Sequence, residues 1–334
     1  MQAWALQYLA CPRTGESLKL RGERVERGDI VLGELVSESG DRVYPIIDGI
    51  PRFVSGSAYS DSFGFQWNKY WQLRSDKYNE TTLIRDTILK RTRWKDGSLQ
   101  GKIVLECGCG CANDTEVLLS LGAKRILSFD LSNSVNSARN NVADAHVTFI
   151  QTDIFQLPFK NRAFDVIFCH RMIQHTPDPE RAFHSIVNQA CPGGEVLLHS
   201  YDKHLLSMLH WKYLLRPITK RLPAPVLFRI LNFIVPALYR IQSPFLRIKY
   251  LRFAISRLIP FYNYSHIYRA AGANLSEREL FGVFLLDTFD ALAPQYDLPN
   301  TADTILGWFR DAGLESVQVT QRNPVFVKAR APSL

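Results

Sequence analysis

The chain reads as an α/β protein built on a doubly wound, mostly parallel sheet, with a small β-rich module before it and a helical insertion, or lid, near its end. Three observations carry this reading. Between residues 101 and 200, short apolar runs of the buried-strand type alternate with helix-length segments. A tight turn, Gly108-Cys109-Gly110, stands just after the first of those runs. Acidic residues, Asp130 and Asp153, follow the second and third runs, at the carboxyl edge where open α/β sheets bind ligands.

Each element follows in order. Residues 1–54 form the β-rich module, with strands expected at Glu34–Ser37 and Val43–Ile47 around the turn formers Ser39-Gly40-Asp41. Asp48-Gly49 and Pro51 close it. Residues 55–98 are a helical linker or cap, with helices expected near Phe65–Leu73 and Glu80–Arg93. In the second, Leu83, Ile84, Ile88 and Leu89 recur at helical spacing. The main domain takes 99–201 and 299–334. Its strands are expected at Lys102–Glu106, Arg125–Phe129, Val147–Gln151, Phe164–Cys169 and Glu195–Ser200. Helices lie between them at Thr115–Leu121, Ser132–Asn141 and Pro179–Ala190. A helix over Ala302–Ala312 and strands at Ser316–Thr320 and Pro324–Lys328 complete it. The insertion is 202–298, a set of helical segments broken by Pro217, Pro223, Pro225, Pro236, Pro244 and Pro260.

Charge singles out the insertion. Between Lys203 and Ser276 there are twelve Lys and Arg residues and no Asp or Glu. The net charge is +8, so the rest of the chain sums to 8 − 12 = −4. The basicity is regional, and any electrostatic role belongs to that region. No run of about 18 apolar residues free of charge is visible, because Val226–Tyr239 is interrupted by Arg229, and a membrane span is not expected. The first residues lack the basic start and long apolar run of a secretory signal. With six cysteines, the expected setting is the cytoplasm with reduced thiols, peripheral to the inner face of a membrane if the insertion touches one.

The strand-end residues suggest a nucleoside-bearing ligand. Glycines at 108 and 110 let the backbone approach it. Asp130, twenty-two residues after Gly108, can accept from ribose hydroxyls, and Asp153 from an exocyclic amine. A dinucleotide site would want Gly-x-Gly-x-x-Gly, and here Asn113 holds the last position.

The run Val104-Leu-Glu-Cys-Gly-Cys-Gly110 resembles the first motif of class I S-adenosylmethionine-dependent methyltransferases, a Rossmann-like fold. Asp130, Asp153, Phe164-Asp165-Val-Ile and Pro192-Gly-Gly resemble the later motifs in order and spacing. The resemblance implies S-adenosyl-L-methionine as cofactor. It implies that Glu106 and Gly108-Cys109-Gly110 hold the methionine end, Asp130 the ribose, and Asp153 with Ile154 the adenine, with Leu131 and His170 also at the cofactor site. Ala112 replaces the usual third glycine. Leu9-Ala-Cys-Pro12 and Tyr44-Pro-Ile-Ile-Asp-Gly-Ile-Pro51 resemble the Trm112-like zinc-ribbon family, but only Cys11 of the expected cysteines is present, so the module is expected to be zinc-free. Cys107, Cys109 and Cys111 sit in a tight cofactor turn, and no metal is assigned to them.

For catalysis, a hydroxyl acceptor benefits from a base, and His175 lies just past the fourth strand; loop structure is its ordinary alternative. Tyr201 at the end of the fifth strand and Asp290 in the acidic, aromatic stretch Leu286–Asp297 are further candidates, helix ends and turns being the alternative for the latter. The expected reaction is O-methylation of a small molecule such as a sugar, glycan or natural product, with an anionic or lipid-linked acceptor also in view. The insertion is read as a substrate lid, as a peripheral membrane contact through 203–269, or, least favoured, as a nucleic-acid grip. A cofactor-binding regulatory partner without catalysis is the reading from a different class.

Overall fold

The computed structural model describes residues 1–54, 58–246, 248 and 265–333. Its strands are β1 (Leu18–Glu26), β2 (Asp29–Ser37), β3 (Val43–Ile47), β4 (Ile50–Pro51), β5 (Ile103–Cys107), β6 (Arg125–Asp130), β7 (Val147–Gln151), β8 (Phe164–Cys169), β9 (Ala190–Ser200), β10 (Glu315–Gln321) and β11 (Val325–Arg330). Its helices, in chain order, are α1 (Asp61–Tyr70), α2 (Asp76–Asn79), α3 (Leu83–Thr92), α4 (Asn113–Ser120), α5 (Ser134–Asn141), α6 (Pro179–Val187), α7 (Leu205–Met208), α8 (Trp211–Thr219), α9 (Ala224–Leu246), α10 (Ser265–Ala270), α11 (Glu277–Leu292) and α12 (Ala302–Asp311).

The main sheet has seven strands in the order β10-β11-β9-β8-β5-β6-β7. Strands β5 to β9 run parallel to their neighbours, and β11 enters antiparallel beside β9. Buried apolar side chains cover both faces, Leu105, Phe129 and Ile167 on one, Val104, Ile126 and Phe168 on the other. That explains why these strands read as continuous apolar runs. The chain reverses direction across the sheet at β5, between β6 and β8. The carboxyl ends there part into a crevice.

A second sheet, β1-β2-β3-β4, is antiparallel. A small four-stranded sheet buries little on its own. This sheet instead shares a core with the main domain, where Leu9, Leu35 and Ile46 join Leu105 and Phe129. The chain leaving β4 pairs with β7, and the Phe53 N–H donates to the Gln151 carbonyl at 2.9 Å. Strand β1 has no counterpart in the sequence reading. It is an edge strand with charged residues on both faces, and it buries only its first residues, so no alternation marks it.

In the insertion, the expected breaks at proline are partly overridden. Pro217 lies inside α8, and α9 runs 23 residues through Pro236. Leu227, Leu231 and Val235 of α9 pack on Phe284, Leu285 and Phe289 of α11, and this contact offsets the hydrogen bond lost at proline. Pro260 lies outside the described residues. The apolar stretch extends beyond the expected Val226–Tyr239. Ala224–Gln242, 19 residues of mean hydropathy 1.4, is long and apolar enough to cross a membrane by length and composition. It still carries two cations, Arg229 and Arg240. Nor are all the insertion's cations free. Lys212 is buried against Asp297 at 2.5 Å, Arg216 donates to the carbonyls of Ala291 and Pro294, and Arg269 pairs with Glu277 at 2.7 Å. Arg247, Lys249, Arg252 and Arg257 lie outside the described residues.

Candidate active site

A cavity of about 490 Å³ opens at the carboxyl edge of the main sheet, within the size range of small-molecule sites. Its floor is the turn after β5. Gly108 takes φ +79°, and a Cβ there would lie 2.5 Å from Met172 Cγ. Gly110 takes φ +53°, with Trp67 Nε1 3.3 Å from where a Cβ would stand. Only glycine lets this turn pass between those side chains. Ala112, in the position of the usual third glycine, still adopts left-handed geometry at φ +70° and opens α4. The substitution therefore keeps the backbone path.

Asp130 lines the cavity from the end of β6. Its Oδ2 accepts from the Gly110 N–H at 3.1 Å and its Oδ1 from the Ser132 N–H at 2.8 Å, which fixes the carboxylate against the turn. Leu131, Thr152 and Ile154 continue the wall. Tyr59, which sequence reasoning missed, also faces the cavity. Burial raises its phenol well above the usual value, and the nearby Asp153 and Asp130 add to the effect.

Two of the sequence-based site residues do not line the cavity directly. Glu106 is 2% exposed and does not line the cavity. Its Oε2 accepts from Thr115 and Ser128, both at 2.6 Å, while Oε1 has no partner among the described residues. Burial, with Asp114 adding, pushes its carboxyl up to about 7. Asp153 turns its Oδ1 to the Phe155 N–H at 3.0 Å, and its neighbours Thr152 and Ile154 supply the wall instead. The cause is local in both cases: a strand-end carboxylate finds backbone or hydroxyl donors closer than the crevice.

The alternating cysteines diverge. Cys107 joins the core on one face of the sheet and Cys109 the core on the other, while Cys111 reaches the Trp71 carbonyl. Burial pushes the first two thiols well above their usual range and Cys111 up to about 12. In the module, Cys11 lies 3.3 Å from the Tyr44 hydroxyl.

One wall of the cavity is cationic. His170 carries its proton on Nδ1, donating to Asp114 Oδ2 at 2.6 Å, and its Nε2 accepts from Arg91 Nη1 at 2.6 Å. Burial holds the imidazole down at about 4, so it is neutral; Asp114 opposes the shift and Arg171 assists it. Arg171 donates to Asp114 Oδ1 at 2.8 Å. Burial would raise the Asp114 carboxyl, but Arg171 and His170 outweigh it and keep the group ionised. Arg91 makes no ion pair among the described residues, and burial lowers it to about 10, leaving it cationic at neutral pH. It lies on the cavity face of α3 with Ile84 and Thr87, a helix whose sequence showed only apolar spacing.

The far end of the cavity brings together His175, Tyr201 and Asp290. The His175 and Tyr201 rings meet edge to face at 5.5 Å. His175 Nδ1 donates to the Tyr296 carbonyl at 3.0 Å, which leaves the Nε2 lone pair as acceptor. Burial lowers its pKa, Asp297 and Asp290 opposing. Burial raises the Tyr201 phenol well above its usual value, with Asp290 adding, so Tyr201 keeps its proton. Asp290 accepts from Gln66 Nε2 at 2.7 Å, and beside it Asp287 pairs with Arg74. The insertion thus supplies Tyr268, Asp287 and Asp290 to the wall. Arg74, Arg91 and Tyr268 carried no sequence signal; they reach the site from helices outside the strand-turn pattern.

Residues 105–198 match the family model described as a methyltransferase domain. The ubiquinone biosynthesis O-methyltransferase of Neisseria meningitidis serogroup C is 30% identical over 165 residues, covering 46% of this chain and 67% of that protein. The enzyme of the same name from Salmonella arizonae is 26% identical over 161 residues, covering 46% and 66%. Among solved structures, a putative S-adenosylmethionine-dependent methyltransferase from Methanococcus maripaludis overlaps 84% of this chain and 97% of its own, with 13% identity and a TM-score of 0.43. The N-methyltransferase NodS from Bradyrhizobium japonicum WM9, bound to S-adenosyl-L-homocysteine, overlaps 82% and 100%, with 12% identity and a TM-score of 0.41. Structural overlaps this loose carry no conclusion about substrate.

Proposed function

The chain belongs to the class I S-adenosylmethionine-dependent methyltransferases, and on that premise we propose that it methylates a hydroxyl oxygen of a small molecule, with His175 as general base. The observation that carries the proposal is one continuous cavity. It joins the glycine turn and Asp130 to a neutral histidine whose Nε2 is an open acceptor.

The glycine cradle, the ordered Asp130 carboxylate and the Leu131 and Ile154 walls fit the cofactor. Asp130 would accept from the ribose hydroxyls, and Leu131, Ile154 and Tyr59 would enclose the adenine. Arg91 would hold the methionine carboxylate, being a half-buried cation on α3 that makes no ion pair among the described residues. When bound, S-adenosylmethionine supplies an electrophilic methyl group on sulfur. His175 Nε2 takes the acceptor hydroxyl's proton, and the Tyr296 carbonyl keeps the ring in the tautomer that can do so. Tyr201 remains a phenol and donates a hydrogen bond rather than acting as a base. The walls from α1 and α11 keep water from the reacting oxygen, and orientation supplies much of the rate.

The acceptor class, a sugar or another hydroxyl-bearing small molecule, is supported by the Asp287 and Asp290 carboxylates on the wall, which accept from hydroxyls. The setting proposed is the cytoplasmic side of the cell. The N-terminal sheet is proposed as a zinc-free, Trm112-like module acting in cis, which its shared core with the main sheet supports. The test is turnover with isotopically labelled S-adenosylmethionine against a panel of sugars and phenols, the product read by mass spectrometry. A labelled methyl on oxygen is expected. Cofactor binding without turnover would favour a regulatory partner, and a methyl on nitrogen or carbon would overturn the oxygen assignment.

A further inference from the structure

We propose that the exposed face of α8 and α9 docks on an anionic lipid surface, the helices lying in its plane and not crossing it. Helix α9 has two apolar faces. Leu227, Leu231 and Val235 are buried against α11. Elsewhere around it Ile230, Phe233 and Ile241 face outward, and Phe233 is 87% exposed. Helix α8, which also contacts α11, turns Leu214 (69% exposed) and Ile218 (67% exposed) outward, three and seven residues after Trp211. A water-facing helix seldom spends so many positions on large apolar side chains.

The charges around this face say what covers it. Lys220, Arg221, Arg229 and Arg240 are exposed, and no ion pair engages them among the described residues. No Asp or Glu occurs from Lys203 to Ser276. A protein partner usually meets a rim of both signs. An apolar stripe flanked by exposed cations that no ion pair engages among the described residues fits acyl chains below and anionic headgroups at the edge, with Arg and Lys reaching outward. The packing of α9 argues for lying on the surface over spanning it. A spanning helix would have to strip Leu227, Leu231 and Val235 from Phe284, Leu285 and Phe289, and carry Arg229 and Arg240 into hydrocarbon.

The proposal is independent of the methyl-transfer reading. The test mixes the full chain with vesicles of phosphatidylcholine containing phosphatidylglycerol, and with vesicles of phosphatidylcholine alone, and sediments both. Binding to the anionic vesicles is expected at low salt, with release at roughly 0.5 M salt, where screening is short-ranged. The double variant Leu214→Asp/Phe233→Asp should lower partitioning at least about tenfold. Lys220→Gln/Arg221→Gln/Arg229→Gln/Arg240→Gln should do the same. Unchanged S-adenosylhomocysteine affinity in calorimetry shows that each variant is folded. Failure to sediment with anionic vesicles overturns the proposal, as does equal binding to neutral ones. Salt-resistant binding would indicate insertion. A dimer that Leu214→Asp/Phe233→Asp converts to monomer, without vesicle binding, would assign the face to a second copy. Retention of an RNA oligonucleotide without vesicle binding would assign it to nucleic acid.

Discussion

His175 donates its Nδ1 proton to the main-chain carbonyl of Tyr296, at 3.0 Å, and so ties the loop after β8 to the end of the insertion. The bond sets the tautomer. The orientation of the proposed base therefore depends on a segment more than a hundred residues away.

His175→Gln should lower kcat by about 10²-fold or more while cofactor affinity stays the same. Burial lowers the imidazole pKa, so the neutral, active form persists to lower pH than for a free histidine. The acid limb of kcat/KM should fall below the ordinary value of about 6.5. Stopped assays of S-adenosylhomocysteine release across pH would show it, and an acid limb above that value would remove His175 as the base.

Asp130→Asn should weaken S-adenosylhomocysteine binding by about 1.5–3 kcal/mol, the range for hydrogen bonds to charged groups. Calorimetry measures it. An unchanged affinity would take the ribose away from Asp130.

Arg91→Met should weaken S-adenosylhomocysteine about tenfold or more, yet leave methylthioadenosine, which lacks the amino-acid end, nearly unaffected. Equal losses for both ligands would mean that Arg91 supports the wall through His170 and does not bind a carboxylate.

Glu106→Gln tests a buried charge. The folded carboxyl titrates at about 7, above an unfolded value of about 4.3. Ionisation is therefore disfavoured in the fold. The stability this group contributes is full below the unfolded value and is lost as pH rises through the folded one, by about 4 kcal/mol at most. The variant should gain in melting temperature over the parent at pH 8 and show little difference at pH 4. The opposite trend would mean that the charge is matched by an interaction not seen at Oε1.

Leu35→Ala should cost about 2–5 kcal/mol and lower one cooperative unfolding transition of the whole chain, because Leu35 shares a core with Leu105 and Phe129. A separate low-temperature transition in calorimetry would show instead that the N-terminal sheet melts alone.

The sequence by itself determined the main sheet. β7 and β8 fall on the residues expected of them, and β5 and β6 within one residue at each end. Strands buried on both faces must be apolar throughout, and that signal is local. The glycine turn was legible for the same reason, since its backbone path admits little else. Tertiary structure alone decided the roles of the carboxylates and cations. Nothing near Glu106 in sequence says that Ser128, on the next strand, will claim its oxygen, or that Arg91 will face the crevice without an acid. It alone also carried α9 through Pro236, because packing on α11 outweighs one lost hydrogen bond. Periodicity and turn chemistry are written in neighbouring residues, whereas the partner of a buried charge is set by chain segments that meet only after folding.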